Sequence, residues 1–550
     1  MQASSPETLR DIFERSCNEY AKYVCLGYTD EAPLTYQQFK KAVLYVQDML
    51  IERGIAKGDR VAILSQNMPN WGVAFFAITT LGAVSVPILP DFAPGEIHNI
   101  LDHSGSKGIF VSQRLQAKID TSKIPGSFFG ISLDDFSLLP GLSKDTADHA
   151  LATEFPGATR NELAGDDIAS IIYTSGTTGR SKGVMLTHTN IVFNAVKVLT
   201  IQPVVSSDVF LSVLPLSHAY ENTLGLIVPV MQGASAFYLK KPPTASVLIP
   251  ALQEIRPTTM LTVPMIMEKI YKSQVQAKFT GNAVMRVLYA FPPVRKIFHR
   301  LAGKKLMHVF GGRLRFFGIG GAKLDAIVER FLKEARFPYA IGYGLTETAP
   351  LLAGSNPGQT VLKAVGPVME GVELKIANPD PKTGMGEILA KGKNVMKGYF
   401  LEPDLTAEAF TADGWFKTGD LGSFDRKGNL QIRGRLKNMI LTATGENIYP
   451  EDIESLINNF HYVVESIVIE KKGKLVALVH FDAEALHKQF EDLKEDARNF
   501  IMEKINTLQE ELIIYVNERV NKYSRLQAVV VMQTPFEKTP TLKIKRYLYH

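Results

Sequence analysis

The stretch Ile171–His188, IIYTSGTTGRSKGVMLTH, concentrates residues whose types suit phosphate binding. An apolar run is followed by glycines, several hydroxyl side chains and Lys182. Glycines let backbone N–H groups close around an anion, hydroxyls add hydrogen-bond donors, and a lysine supplies positive charge. The stretch therefore predicts a phosphate-binding loop directly after a buried strand, with a plain glycine-rich turn as the alternative interpretation.

The spacing in this loop excludes two common nucleotide-binding motifs. The Walker A pattern needs a second glycine five residues after the first. Ser181 and Val184 stand at that distance from Gly176 and Gly179. The dinucleotide pattern G-x-G-x-x-G is also absent from the loop. Any phosphate bound here must be held by a different loop architecture.

The composition indicates a globular chain larger than one common domain. The chain has 550 residues, of which 45% are hydrophobic and 21% charged, with a formal net charge of +5. So small a charge argues against a dedicated nucleic-acid binder. Cys17 and Cys25 are the two cysteines, which argues against a disulfide framework or a cysteine metal cluster. We therefore expect a reducing, cytoplasmic location.

One segment is apolar enough to suggest a membrane span. Gly72–Pro90 reads GVAFFAITTLGAVSVPILP and carries no charge. It divides at Gly82 into a half typical of a helix and a β-branched half that contains Pro87. We therefore predict a buried helix that leads into a buried strand, and no membrane span. The first twenty residues also lack the pattern of a signal peptide.

Short β-branched runs alternate with helix-permissive stretches over most of the chain, which predicts an α/β fold with mainly parallel, helix-covered sheets. The predicted strands include VAIL, VSVPIL, GIFVS, SIIYT, VFLSVLP, TMLTVP and RFFGIGG. After about Asp413 the turns predict hairpins, and the last hundred or so residues indicate a compact α+β unit. We place the boundary near Lys437, which gives an N-terminal domain of residues 1–436 and a C-terminal domain of 437–550.

Further motifs accompany the loop along nearly the whole chain and resemble those of the adenylate-forming superfamily, which includes acyl-CoA synthetases, luciferases and peptide-synthetase adenylation domains. In chain order they are YTSGTTGRSKGVMLTH, LPLSHAYE, FFGIGGAKL, IGYGLTETAP, GEILAKGKNVMKGYF, GWFKTGD, IRGRLKNMI, GENIYPEDIE and KTPTLKIKR. The resemblance implies a large N-terminal domain of parallel sheets plus a distorted barrel, with a small mobile C-terminal domain.

The resemblance also implies a reaction: ATP activates a carboxylate to an acyl adenylate, pyrophosphate leaves, and a thiol then accepts the acyl group. The loop residues implied to hold the triphosphate are Thr174, Ser175, Gly176, Thr177, Thr178, Gly179 and Lys182. Glu347, preceded by Thr346, resembles the family's magnesium-binding acid. Magnesium accepts one or two carboxylates together with phosphate oxygens, so one glutamate is chemically sufficient.

Other motifs imply contacts with the rest of the nucleotide. The implied adenine slot consists of Gly320, Gly321 and Ala322, and the GYG motif adds Gly342, Tyr343, which would stack on the purine, and Gly344. Asp420 resembles the family's ribose ligand, since a carboxylate accepts hydrogen bonds from both hydroxyls. Ile432 and Arg435 match further nucleotide contacts. A core aromatic and a solvated charge are the alternative interpretations of Tyr343 and Arg435.

The two half-reactions are implied to use different faces of the C-terminal domain. Lys543 resembles the lysine that bridges the substrate carboxylate and the α-phosphate, although Leu542 replaces a common glycine before it. Lys437 matches the family's hinge, and Gly445 the face presented to the pantetheine arm. His218 either gates the acyl pocket, acts near the carboxylate or is structural.

The acid is predicted to be a medium-to-long-chain fatty acid. Gly344 stands where acetate-activating relatives carry a large aromatic, so we expect it to leave an acyl tunnel open. Coenzyme A is the expected acceptor and acyl carrier protein the alternative. A silent nucleotide- or fatty-acid-binding regulator and a luciferase-like activity are weaker alternatives. The expected partners are the fatty acid, ATP, Mg²⁺ and coenzyme A, without nucleic acid, and peripheral contact with the inner face of a membrane is compatible with this chemistry.

Overall fold

The computed structural model of this protein describes residues 6–124, 128–142, 162–175, 181–276, 279, 283–441, 447–482, 497–539 and 543–549. These residues form 24 β-strands. In chain order they are β1 Val24–Tyr28, β2 Leu34–Thr35, β3 Arg60–Leu64, β4 Val84–Ile88, β5 Gly108–Val111, β6 Phe129–Ser132, β7 Ile168–Ser175, β8 Ser181–Thr187, β9 Val209–Ser212, β10 Ser235–Tyr238, β11 Thr259–Thr262, β12 Phe316–Ile319, β13 Tyr339–Gly344, β14 Leu351–Gly354, β15 Val372–Ala377, β16 Gly386–Gly392, β17 Gly398–Tyr399, β18 Phe416–Phe424, β19 Leu430–Arg435, β20 Ile440–Leu441, β21 Asn447–Ile448, β22 Val463–Lys471, β23 Lys474–Phe481 and β24 Ala528–Val531.

The described residues contain fifteen α-helices. They are α1 Leu9–Glu19, α2 Tyr36–Glu52, α3 Pro69–Leu81, α4 Pro94–Ser104, α5 His188–Lys197, α6 Ala219–Glu221, α7 Val228–Met231, α8 Ala245–Ile255, α9 Pro264–Ile270, α10 Ala283–Ala290, α11 Pro292–Val309, α12 Ala326–Ala335, α13 Pro403–Ala409, α14 Pro450–Asn458 and α15 Ala497–Asn517. A π-helical turn, Asn222–Ile227, joins α6 to α7.

The two large sheets are mainly parallel, with antiparallel strands at one edge of the seven-stranded sheet and at both edges of the eight-stranded sheet, which confirms the predicted α/β class. One runs in the order β17-β8-β7-β4-β3-β5-β6 and the other β14-β13-β12-β11-β9-β10-β1-β2. Within the second, β1, β10, β9, β11, β12 and β13 pair in parallel, while β2 and β14 are antiparallel edges. Parallel strands place their carboxyl ends at one edge, where α/β proteins bind ligands.

The apolar segment Gly72–Pro90 folds as predicted, as a buried helix followed by a buried strand. Helix α3 begins with Pro69 and ends at Gly82, whose φ of 98° is easily reached without a side chain. Strand β4 then lies between β3 and β7 in the seven-stranded sheet. Among the described residues, no helix has both the length and the apolar character needed to cross a membrane.

The chain divides into two compact units. The first comprises residues 1–375, 389–417 and 424–431, and the second 376–388, 418–423 and 432–550. A four-stranded sheet has the order β15-β16-β18-β19. The end of the second unit is α+β: β22, β23 and β24 form a sheet on which α14 and α15 pack through an apolar core. The predicted C-terminal domain, 437–550, lies within this unit, and its exact boundary stays a prediction.

Candidate active site

The glycine-rich loop joins two antiparallel strands. β7 and β8 pair over their whole length, with Thr174 opposite Lys182 and Ser175 opposite Ser181. The strand predicted before the loop is present, and Lys182 lies on the returning strand instead of on a helix. Gly176, Thr177, Thr178 and Gly179 lie outside the described residues, so their phosphate contacts stay predictions. Lys182 is held at a fixed position because both strands are part of the sheet.

Glu347 and Lys182 both contact one aromatic side chain, Tyr399. The Tyr399 hydroxyl donates a hydrogen bond of 3.0 Å to Glu347 Oε1. Lys182 Nζ lies 5.0 Å from the centre of the Tyr399 ring. This position follows from sheet register, since Tyr399 in β17 lies opposite Val184 in β8, and side chains two residues apart share a face. The structure thus brings together the predicted metal-binding acid and the predicted phosphate-binding lysine.

The turn that carries Glu347 is fixed by buried amides. Thr346–Thr348 form one 3₁₀ turn directly after β13. The side-chain amides of Asn194 and Asn394 both donate to the Thr348 carbonyl, at 3.2 and 3.0 Å. The Met396 N–H donates to the Glu347 carbonyl at 2.8 Å. A carboxylate held in this way beside a lysine fits a magnesium ion bound to phosphates, because proteins usually hold Mg²⁺ through one or two carboxylates together with phosphate oxygens and water.

The predicted adenine slot follows the carboxyl end of β12. Gly320 is buried, and a Cβ there would lie 3.2 Å from the Tyr220 ring. Gly321 has a φ of +82°, which disfavours any residue with a side chain. Gly321 and Ala322 are exposed, so this turn presents bare backbone. That geometry permits a flat base to approach closely, and adenine binding here stays a prediction.

Gly344 does not open an acyl tunnel, so the expectation attached to it is wrong. A Cβ at this position would lie 1.9 Å from the Pro350 carbonyl oxygen, which also accepts a hydrogen bond from the Leu345 N–H. The glycine is required by the approach of two backbone segments, and a tryptophan there would disrupt the Glu347 turn instead of flooring a pocket. The predicted nucleotide contact of Gly344 stays a prediction. Tyr343, beside it, is half-buried on β13.

An apolar pocket lies on one face of the eight-stranded sheet. Its empty volume is about 570 Å³ with the open mouth included. Alternate residues of four strands form its floor, among them Phe210, Leu261, Phe316, Gly318, Ala340 and Gly342. Tyr220, Leu224 and Val228, from the α6–α7 segment, cover it. Gly342 lines this pocket and Gly344, two residues further along β13, does not; the pairing of β13 with β14 shifts register between Tyr343 and Gly344.

His218 is placed by the backbone at the start of α6. Its Nδ1 accepts a hydrogen bond of 3.2 Å from the Tyr220 N–H and caps the helix. An Nδ1 that accepts leaves the ring proton on Nε2. This geometry supports the structural interpretation of His218, while its predicted catalytic role stays a prediction.

Glu221 is a buried carboxyl group next to the pocket residue Tyr220. It is 1% exposed, and its Oε2 has no hydrogen-bond partner among the described residues. Burial raises its pKa from 4.5 to about 8, while a hydrogen bond from Ser212 lowers it. The folded protein therefore holds Glu221 protonated at neutral pH, since charging it here carries a large desolvation cost.

We expect Glu221→Gln to remove part of the pH dependence of stability. Between pH 4.5 and about 8 the unfolded chain releases this proton and the folded chain keeps it, so stability falls as pH rises. The loss from about pH 5 to about pH 8 is on the order of 3 kcal/mol. Thermal or urea unfolding at both pH values measures it, with the exposed Glu254→Gln as control. A Glu221→Gln protein with the wild-type loss would contradict the assignment.

In the second unit, the predicted ribose ligand and a predicted nucleotide contact form an ion pair. Asp420 in β18 and Arg435 in β19 lie on adjacent strands, and Arg435 Nε is 2.8 Å from Asp420 Oδ1. Arg435 also donates to the Thr418 carbonyl at 3.3 Å. Asp420 is buried, so the arginine keeps its charge compensated. Ile432 is half-buried on β19.

Lys543 lies on a loop of the second unit whose ends are tied by backbone hydrogen bonds. The Thr539 N–H donates to the Lys543 carbonyl at 2.7 Å, and the Lys543 N–H donates to Thr539 Oγ1 at 3.2 Å. An ion pair between Lys538 and Glu465, at 2.5 Å, fixes one end. The Lys543 side chain is exposed, which suits a cation that meets a substrate.

The other end of this loop is held by a buried ion pair between Arg546 and Glu454. Burial raises the pKa of Glu454 to about 6, against the opposing effect of Arg546. The predicted hinge residue Lys437 is exposed in the 3₁₀ turn Leu436–Asn438. Its hinge role stays a prediction, and Gly445 lies outside the described residues.

Two functional features escaped the sequence interpretation. Tyr399 lies within the motif GEILAKGKNVMKGYF, but its contact with Glu347 and Lys182 depends on the pairing of β17 with β8, which a motif does not show. The pocket floor could not be found, because its residues come from strands separated by long stretches of chain. Gly342 was predicted as a nucleotide contact, and the structure places it in the pocket floor.

Comparison with known proteins identifies the family of this chain. The AMP-binding enzyme family matches residues 13–400. The long-chain-fatty-acid–CoA ligase FadD15 of Mycobacterium bovis is 31% identical over 90% of this chain and 87% of its own. A chloroplastic long-chain-fatty-acid–[acyl-carrier-protein] ligase of Arabidopsis thaliana, AEE15, is 26% identical over 99% and 85%. ATP-bound MatB from Rhodopseudomonas palustris shares the fold, with a TM-score of 0.76, 23% identity and 98% of each chain covered. The chain therefore belongs to the AMP-binding enzyme family.

Proposed function

We propose that this ligase activates a medium-to-long-chain fatty acid with ATP and transfers the acyl group to coenzyme A. The observation that carries the proposal is the apolar pocket on the strands that lead to the Glu347 turn. Its walls offer little hydrogen bonding, so they favour a hydrocarbon chain over a polar acid. Each methylene of the acyl chain that is buried in the pocket contributes about 0.8 kcal/mol to the free energy of binding.

In the first half-reaction a carboxylate oxygen attacks the α-phosphorus of ATP, the bond to the bridging oxygen breaks, and pyrophosphate leaves. Lys182 and the loop amides would hold the β- and γ-phosphates, while Glu347 would hold Mg²⁺. When bound, the magnesium ion neutralises charge on the leaving phosphates. Tyr399 orients the Glu347 carboxylate through its hydroxyl.

The second unit contributes the remaining charged groups of the proposed mechanism. Lys543 would bridge the carboxylate and the α-phosphate, which are both anionic and repel each other as they approach. Asp420, oriented by Arg435, would accept hydrogen bonds from the ribose hydroxyls. In the second half-reaction the coenzyme A thiolate attacks the acyl carbonyl and releases AMP. We propose that Lys437 is the hinge and Gly445 the pantetheine face used in that step.

Acyl carrier protein is the alternative acceptor, and a relative named for that activity supports it. Both acceptors share every residue of the first half-reaction. An acid panel of increasing chain length, assayed in parallel with coenzyme A and with acyl carrier protein, tests the proposal. Pyrophosphate exchange that depends on a long-chain acid, with thioester formed on coenzyme A, is expected. If no fatty acid of any length supports pyrophosphate exchange, the proposed substrate class is excluded.

The pocket floor gives a direct test of chain length. We expect Gly342→Leu to lower kcat/KM for hexadecanoate by roughly 10- to 60-fold, since displacing two or three methylenes loses about 0.8 kcal/mol each. Octanoate is expected to be spared because its shorter chain does not need the filled space. A Cβ at Gly342 meets only the end of the Leu351 side chain, at 3.0 Å, so the substitution is compatible with the fold.

The matched control for Gly342→Leu is Gly95→Leu, because a Cβ at Gly95 meets no atom within 4 Å. Steady-state kinetics with the two acids measure the effect. Equal loss on both acids would show a general defect, and no loss on either would place the acyl chain elsewhere. We further propose that the enzyme works in the cytoplasm at the surface of a membrane, where apolar acids concentrate.

A further inference from the structure

Helix α10 and the residue after it carry an apolar stripe that faces solvent. Val284, Val287, Leu288 and Phe291 are 69%, 73%, 42% and 59% exposed. Their spacing of three, four and seven residues places them on one side of a helix, the pattern by which helices normally meet a protein core. Here that side is outward. A large exposed apolar face of this kind marks an interaction surface.

The inward sides of this helix pair are fixed by specific contacts. The Tyr289 hydroxyl lies 2.6 Å from His299 Nε2 and 3.2 Å from the Tyr271 hydroxyl. On α11, Gly303 is buried, and a Cβ there would lie 2.6 Å from the Ala335 carbonyl oxygen. These contacts determine which side of each helix packs on the protein, so rotation of α10 cannot bury its apolar stripe.

Helix α11 extends the exposed surface and adds cations to it. Ile297 and Leu301 are 56% and 59% exposed and stand four residues apart. At about 100° per residue, Lys296 and Arg300 lie on one side of this stripe and Lys305 on the other. Long basic side chains in such positions reach past an apolar face with their charged ends.

The charge of the segment is entirely positive. Residues 283–309 contain six lysines and arginines and no aspartate or glutamate, whereas the whole chain has a net charge of +5. The six are Arg286, Arg295, Lys296, Arg300, Lys304 and Lys305. Arg295 is paired with Glu334 at 2.9 Å on the inward side, and the other five belong to exposed positions. We call the exposed side of α10 and α11 the basic-apolar face.

We propose that the basic-apolar face docks this enzyme on a lipid bilayer that contains anionic headgroups. Apolar side chains between cations match the boundary between acyl chains and phosphates, as in interfacial helices. Each lysine or arginine near an anionic surface contributes attraction that salt screens. A second copy of this chain fits less well, because two such faces would place like charges opposite each other.

The purpose of this docking rests on the proposed function, because a docked enzyme can take up its fatty acid substrate directly from the membrane in which the acid is dissolved. The binding itself does not depend on catalysis. Since no described helix crosses a bilayer, attachment through this face is peripheral and reversible. It is also expected to weaken at high salt, as electrostatic attraction to a surface does.

Flotation of the purified full-length protein with vesicles tests the proposal. Vesicles of phosphatidylcholine with phosphatidylglycerol are expected to carry the protein at physiological salt, and vesicles of phosphatidylcholine alone to carry much less. Lys296→Gln with Arg300→Gln should lower binding by on the order of tenfold or more, given the attraction of each cation. Val287→Asp with Phe291→Asp should abolish it.

Matched controls use exposed residues of the same types elsewhere. Lys41→Gln with Lys241→Gln removes two exposed cations outside the face, and Ile514→Asp places a charge at an exposed apolar position, 59% exposed, on another helix. Both controls are expected to bind vesicles like the wild type. Wild-type protein that stays unbound, or control variants that lose as much binding as the test variants, would overturn the proposal.

Two further readouts separate this proposal from its alternatives. If sedimentation shows a wild-type dimer that Val287→Asp dissociates, and the wild type does not bind vesicles, the face belongs to an interface with a second copy of this chain. Activity on water-soluble octanoate is expected to be unchanged in every face variant, which also shows that they fold. If the protein binds vesicles but activates no fatty acid, the docking proposal stands and the proposed function is overturned.

Discussion

Lys543→Ala is expected to lower fatty-acid-dependent ATP–pyrophosphate exchange by about 10²–10³-fold, the size of effect seen when one transition-state charge partner is removed. The carboxylate and the α-phosphate are both negative, and their approach needs a cation between them. The exposed lysine lies on a loop tied by the backbone bonds of Thr539, which alanine preserves. The defect is therefore expected in chemistry and not in folding.

The same variant should spare the second half-reaction. Supplied with purified acyl adenylate and coenzyme A, Lys543→Ala should form thioester at the wild-type rate, because the α-phosphate is already joined to the acyl group. Lys545→Ala is the matched control on the same loop, since its Nζ lies 4.0 Å from Glu537. Equal loss of both half-reactions in a folded Lys543→Ala protein would contradict a role confined to adenylation.

Glu347→Gln is expected to lower adenylation by about 100-fold and to raise the Mg²⁺ concentration needed for half-maximal rate by roughly 10- to 100-fold. The amide has the shape of the carboxylate and still accepts the hydrogen bond from Tyr399, but it lacks the negative charge that a magnesium ion requires. Initial rates of pyrophosphate exchange over a Mg²⁺ titration measure both effects.

Two controls interpret the Glu347→Gln result. Glu373→Gln changes an exposed carboxylate of the same unit and should leave the Mg²⁺ dependence unchanged. Tyr399→Phe keeps the Glu347 charge and removes only the hydrogen bond of 3.0 Å, so a smaller shift of the same kind is expected. Wild-type Mg²⁺ dependence in Glu347→Gln would remove this residue from the metal site.

The sequence predicted seven strands of the large sheets (β3, β4, β5, β7, β9, β11 and β12) and the buried helix–strand unit of Gly72–Pro90. These succeeded because hydrophobic runs between turn residues report burial locally. Family motifs then gave the reaction type and most candidate residues. The same local signal could not show that β8 returns antiparallel to β7, because strand direction is decided by sheet pairing.

The expectation for Gly344 also failed because it depended on a contact between two backbone segments that the motif does not show. A glycine in a motif signals that a side chain is excluded, but the sequence does not show what excludes it. In the structure the obstacle at Gly344 is the Pro350 carbonyl, whereas Gly342 lines the apolar pocket. A specificity argument based on motif position therefore could not show what Gly344 accommodates.

Ordered motifs and local hydrophobic patterns were sufficient to identify the family, the α/β class and the residue types needed to join ATP to a carboxylate. The folded chain was needed to show that Tyr399 connects Glu347 with Lys182, that Asp420 pairs with Arg435, and which strand faces form the apolar pocket. It also decided that the apolar stripe of α10 faces outward. Each of these depends on contacts between segments distant in the chain, and periodicity identifies an apolar face without identifying what will cover it.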